Sequence, residues 1–220
     1  MIPKYTITVV EGTRPIDTAV TKFGGQPVWL HTPTWPLSRS TGAPMMFVAQ
    51  VALDPALFGD IPGRRAYLFM TAWADGTYDF NLGENAVIVQ PTSVLADVET
   101  RLQARGPTLF RFSPSRPGEW GERIACEYSA LLAPGVDSDT LPEYGEWLKE
   151  DSTTEEQAHN KVGGAPGFLQ AAETPGSGWR LLLQLDSTTL PFELNFGDGG
   201  IGYAFLSPDG VRGKFMWQSL

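Results

Sequence analysis

The chain has 220 residues, 42% hydrophobic and 19% charged, enough for one large core or two small ones and too apolar for a disordered segment. Its 16 Lys and Arg against 25 Asp and Glu give a formal charge of −9, which repels nucleic acid and favours a basic protein partner. The lone cysteine, Cys126, excludes an intramolecular disulfide and a cysteine-based zinc site; with no run that reads as a signal peptide or bilayer span, the expected setting is cytoplasmic, with no membrane association.

In chain order, YTITVV (5–10) has the β-branched and aromatic content of a strand. K-F-G-G-Q-P follows from Lys22, and then a proline-rich loop, HTPTWPLSRSTGAP (31–44). MMFVAQVAL (45–53), AYLFMTA (66–72) and AVIVQ (86–90) read as buried strands, and residues 92–105 as a helix with Leu95, Val98 and Leu102 on one face. TLFRFS (108–113) and RIACEYSALL (123–132) return to strand character. The connector that follows carries Asp137, Asp139, Glu143, Glu146, Glu150, Asp151, Glu155 and Glu156 against Lys149 alone. Thr140 with Glu143, and Thr153 with Glu156, fit capping boxes and predict two short helices. K-V-G-G-A-P then opens a second strand-rich stretch from Lys161, through WRLLLQLD (179–186), IGYAFL (201–206) and KFMWQSL (214–220), with Pro208-Asp209-Gly210 marking a hairpin.

The two stretches share more than their opening. Lys22 answers to Lys161, Gln50 to Gln184, Phe58-Gly59-Asp60 to Phe196-Gly197-Asp198, and Tyr67-x-Phe69 to Tyr203-x-Phe205, in one order at nearly one separation. They predict a single domain over 1–220, with repeat units 1–107 and 161–220 and an inserted connector, 108–160. The fold class expected is α+β, predominantly β, with the acidic connector helical.

The order K-F-G-G-x-P, Trp35-Pro36, G-x-P-M (Gly42 to Met45), F-x-x-Q (Phe47 to Gln50), G-E-N (Gly83 to Asn85), L-L-Q-L-D, F-G-D-x-G and F-x-W-Q (Phe215 to Gln218) resembles the YwqG-like family of bacterial proteins. The likeness runs over nearly the whole chain. It implies a duplicated, mostly stranded α+β domain, and it brings no catalytic residues with it.

Several motifs touch on chemistry. GDGGIG (197–202) has dinucleotide-loop spacing but leads into a strand-like run, so it reads as a turn. The two K-x-G-G-x-P loops lack the ending of a phosphate loop and read as positive-φ turns closed by proline. His31 and His159 have no nucleophile motif beside them, so no catalytic residue, metal site or cofactor is expected. Gln50 and Gln184, in apolar strands, read first as buried amides bonded to backbone at corresponding points of the two units, and Asp60 and Asp198 as turn residues. At matched positions the four are also the candidates for a ligand site between the units, and Trp35, beside Pro36 in a loop, is the aromatic expected to reach a surface. The eight connector carboxylates from Asp137 to Glu156 are the candidate partner surface. The function expected is an acidic cytoplasmic binding protein, one version being an immunity-type inhibitor of a basic toxin. The alternative is a small-molecule or metal-binding enzyme with its site between the units.

Overall fold

A computed structural model describes the chain apart from residues 73–78, 92–97, 117–118, 120 and 139–159. Its dominant feature is one ten-stranded antiparallel sheet. The sheet uses β1 (Ile2–Glu11), β2 (Lys22–Gly24), β4 (Met46–Ala52), β5 (Arg65–Met70), β6 (Asn85–Gln90), β10 (Glu127–Asp137), β11 (Lys161–Gly163), β12 (Arg180–Asp186), β13 (Ile201–Leu206) and β14 (Gly213–Gln218). Among the described residues two ribbons complete the strands: β3 (Thr34–Pro36) with β7 (Thr100–Leu102), and β8 (Phe110–Phe112) with β9 (Arg123–Ala125).

The sheet order is β14-β13-β12-β11-β1-β10-β2-β4-β5-β6. Read outward from its centre, the two sides repeat: β1 leads to β11, β12, β13 and β14, as β10 leads to β2, β4, β5 and β6. The first strand of the chain therefore pairs with the second stretch, through Lys4–Thr6 against Gly163–Lys161. Strand β10, just before the connector, pairs with the first stretch, through Glu127–Ser129 against Gly24–Lys22. The exchanged strands then pair with each other along their length, from Ile2 opposite Asp137 to Glu11 opposite Tyr128. The sheet curls until its outer strands, β6 and β14, face each other without joining into a hydrogen-bonded ladder.

Strands buried on both faces explain the unbroken apolar runs in the sequence. In β5, Ala66, Leu68 and Met70 point into the central core, while Tyr67 and Phe69 point to an outer cluster with Trp35, Met45 and Phe47. In β13, Ala204 and Leu206 face the centre, and Tyr203 and Phe205 face a second outer cluster with Phe168 and Leu169.

The α+β expectation is corrected: the fold is nearly all β. The one helix among the described residues is α1 (Pro55–Phe58), a single turn capped by Asp54, whose carboxylate accepts from Ala56 N at 2.9 Å. The helix expected at 92–105 is also corrected at its end, because Thr100–Leu102 is extended and pairs with Thr34–Pro36. Leu102 is 80% exposed there, so it belongs to no core-facing helical stripe; residues 92–97 lie outside the described residues. The two helices expected in the acidic connector lie outside the described residues. No described helix is long and apolar enough to cross a membrane.

Candidate functional site

The repeated landmarks converge on one local device. Gln50 lies opposite Lys22 and next to Tyr67 across neighbouring strands, and Gln184 opposite Lys161 and next to Tyr203. In the first stretch Gln50 Oε1 accepts from Val28 N at 2.9 Å, and its Nε2 donates to the carbonyls of Val20 and Thr18 at 2.8 and 3.2 Å. The Tyr67 hydroxyl donates to Val28 O at 2.8 Å and accepts from Leu30 N at 3.0 Å. Gln90 Oε1 accepts from Leu30 N and His31 N, and its Nε2 donates to Thr32 O. The second stretch repeats this with Gln184 accepting from Gly167 N at 2.8 Å, the Tyr203 hydroxyl between Gly167 O and Leu169 N, and Gln218 between Gln170 N and Ala171 O. A Gln-Tyr-Gln row on three adjacent strands thus supplies the hydrogen bonds of a loop that lies across the sheet and has no ladder of its own.

The K-x-G-G-x-P motif is the root of that loop. Lys22 is buried and donates to Ile16 O at 2.9 Å, Gln26 O at 2.7 Å and Glu127 at 2.5 Å. Lys161 donates to Asp137 Oδ2 at 2.8 Å, while Lys4 takes Oδ1 at 2.5 Å and Ala165 N donates to Oδ2 at 2.9 Å. Gly24 and Gly25 have φ of 65° and 64°, and Gly163 and Gly164 of 71° and 79°. A Cβ on Gly25 would overlap the Glu127 carboxylate, and one on Gly164 the Asp137 carboxylate. The second glycine of each pair is therefore what lets an acid from the exchanged strand reach the buried lysine. Burial pushes the Asp137 carboxyl up, but the hydrogen bonds from Lys161, Lys4 and Ala165 N more than offset it, leaving it below the ordinary range. Lys161 also lies below its ordinary value, because burying the ammonium outweighs the return from a carboxylate it shares.

Measured against the residues singled out in the sequence, the placement is mixed. Gln50 and Gln184 are fully buried, each with its amide oxygen taken by loop backbone. The structure does not bring the two aspartates to them: the Asp60 side chain is 99% exposed, 3.8 Å from Arg64, and Asp198 is on the surface at a glycine turn. Trp35 is corrected. It has no exposure, and its Nε1 donates to Met45 O at 2.8 Å, because the proline-rich loop folds back over the outer face of the sheet. Asp137, expected on an exposed acidic surface, is corrected as to exposure: it ends β10 facing inward, where two lysines hold it. Asp139, Glu143, Glu146, Glu150, Asp151, Glu155 and Glu156 lie outside the described residues, as does His159; His31 is exposed. Among the described residues no group of three or more metal-ligating side chains occurs.

A cleft that no single motif announced lies along the seam between β6 and β14. It holds about 260 Å³. Asn85 and Val87 form one wall, Gly213 and Lys214 the other, with Phe80, Trp179, Arg39 and Arg212 around the mouth. Gly213 brings β14 against Val87, since a Cβ there would overlap the valine. Farther along, Gly210 packs on Ile61 and fills the seam. Glu84, the acid of G-E-N, is buried and turned away. It accepts from Ser40 N at 2.8 Å and from the Thr71 hydroxyl, and Arg39 N donates to Gly83 O at 3.2 Å. Burial raises the Glu84 carboxyl, and the bonds from Thr71, Ser38 and Ser40 bring it below its ordinary value. The carboxylate thus anchors the turn that carries Arg39 over Gly83, whose missing side chain leaves room for the guanidinium. Lys214 lies with its ammonium 5.7 Å from the Phe80 ring centre and 3.1 Å from Asn81 Oδ1.

Residues 21–214 match the family model of a domain of unknown function, DUF1963, with which the YwqG-like resemblance is consistent. No curated protein matches the chain.

Proposed function

We propose, for a chain that belongs to the DUF1963 family, a domain of unknown function, a binding role in the cytoplasm in which an acidic surface meets a basic protein partner. One observation carries this reading. Lys4, Lys22, Arg65 and Lys161 are buried, against only Glu84 and Asp137 among the described carboxylates, so the described interior keeps a surplus of two positive charges. The surface of the described residues is therefore net acidic, with 14 carboxylates against 11 cationic side chains, in a chain of formal charge −9. A field of that sign steers a basic partner toward it and repels nucleic acid. An immunity-type inhibitor that covers a basic toxin is one form of this function, and a lone cysteine suits a reducing compartment.

Capture from the source cell on immobilised protein, followed by elution along a salt gradient, tests the reading. A basic protein released as salt rises is the expected result. Capture of acidic proteins, or release unaffected by salt, overturns it.

A further inference from the structure

We propose that the seam cleft between β6 and β14 is a binding site for a small organic oxyanion, a carboxylate or phosphate carried on a flat apolar body. Three cationic side chains, Arg39, Arg212 and Lys214, converge on it in a protein of net charge −9, and no carboxylate stands among its described lining residues. Each cation reaches the cleft by a separate route. Lys214 extends from β14 and is held by neutral partners only, the Phe80 ring and the Asn81 amide oxygen, which orient the ammonium without cancelling its charge. Arg39 is carried on the turn anchored by buried Glu84. Arg212 ends the β13–β14 hairpin, its contact to Asp209 long at 3.8 Å and half exposed on both sides, a pairing of little strength.

Trp179 and Phe80 supply flat apolar faces beside these charges, and Asn81 and Asn85 line the same space with amides. Phe80 is itself set edge-on to Trp217, with ring centres 6.0 Å apart, so it is a supported surface. Ligand pockets hold on the order of 300–1,000 Å³ for drug-sized molecules. This cleft, at about 260 Å³, suits a smaller one. An apolar platform with convergent cations matches an aromatic or similarly flat acid better than a bare ion, because a bare ion would leave the rings unused. The seam supplies the room: two outer strands that approach without pairing leave a groove that a closed ladder would fill.

Titration of the full chain, labelled with ¹⁵N, tests the assignment through the indole N–H resonance of Trp179, identified with Trp179→Phe. The probes are phenyl phosphate, benzoate, inorganic phosphate and benzyl alcohol. Phenyl phosphate and benzoate are expected to shift that resonance saturably, inorganic phosphate to bind more weakly, and benzyl alcohol not to bind. Lys214→Gln and Arg39→Gln should each weaken phenyl phosphate by about tenfold, the loss of one charge-assisted hydrogen bond. Arg212→Gln, at an exposed position, gives a further reading if either of the others fails to fold. Benzyl alcohol binding as well as phenyl phosphate, affinity unchanged by the charge substitutions, or shifts that bypass Trp179 would each overturn the proposal. Inorganic phosphate binding as tightly as phenyl phosphate would overturn the flat-body requirement.

Discussion

Around Tyr67 and around Tyr203 a buried hydroxyl sits between a loop carbonyl and a loop N–H, yet the surroundings differ. In the first stretch Val28 O also receives Arg65 at 2.6 Å, and Leu30 N is shared with Gln90. In the second, position 201 is isoleucine in place of that arginine, and Gly167 O and Leu169 N meet the Tyr203 hydroxyl. The ion clusters differ too: Glu127 meets Lys22, whereas Asp137 meets both Lys4 and Lys161. A duplicated fold thus keeps its geometry while the reserve behind each contact drifts apart. The first stretch holds its loop redundantly, and the second depends on single groups.

The sharpest way to break this contrast is at the acids. Asp137→Asn leaves the buried Lys161 ammonium without its carboxylate and is expected to cost about 3–5 kcal/mol in urea unfolding. Glu127→Gln leaves Lys22 its two carbonyls and should cost about 1–2 kcal/mol. Equal losses for the two variants would show that the sharing of Asp137 has no energetic weight.

Acid should expose the same difference. The Asp137 carboxyl is depressed in the folded state, so its contribution is present above the ordinary carboxylate range and is lost as pH falls through its lowered value. Below about pH 4 the urea midpoint of the natural protein should fall toward that of Asp137→Asn. Parallel curves for the two proteins down to pH 3 would remove the carboxylate from the account.

A smaller effect separates the tyrosines. Tyr203→Phe strands both a buried carbonyl and a buried N–H, whereas Tyr67→Phe leaves each with a second partner. Tyr203→Phe should therefore be the costlier by about 1–2 kcal/mol. The test is chemical denaturation of both variants, and a larger loss at Tyr67 would refute the redundancy. Smallest in stability is a reactivity difference. Burial pushes the Cys126 thiol up to about 11, with the Tyr128 hydroxyl and Arg111 offsetting only part of it. A disulfide reagent at pH 8 should label native protein at least about 100-fold more slowly than urea-unfolded protein. Similar rates in the two states would mean that the strand end opens readily.

The landmarks were legible because each carries an obligation. A lysine, a glycine pair, a glutamine in an apolar run and a tyrosine two residues before a phenylalanine all recur because the same loop must be held twice. The need of the two buried glutamines for backbone partners was legible too, but what the other residues would touch was not. Asp137 reads as the first of an acidic run, and only the register of β10 turns it inward, opposite Ile2. Trp35 in a proline-rich loop reads as exposed until that loop folds over an outer cluster of aromatics. Residues 92–105 carry helical spacing, but Thr100–Leu102 finds a strand partner in Thr34–Pro36, and long-range pairing overrides local period. The seam cleft left no linear signal. Arg39, Phe80, Trp179 and Lys214 lie far apart in the chain and meet only because the sheet curls.

The exchange of β1 and β10 also sets a problem of timing during synthesis. Ile2–Glu11 leaves the ribosome well before its partners, Tyr128–Asp137 and Lys161–Gly163. At a synthesis rate of about 5–20 residues per second, β1 waits roughly 6–25 s for the first of them, with both strand edges open. Its sequence, rich in threonine and valine, is apt to pair with any strand that arrives sooner. The interval before β10 emerges is thus the stretch in which a nascent chain of this kind is most exposed to wrong pairing, and the one in which a holding chaperone would matter most.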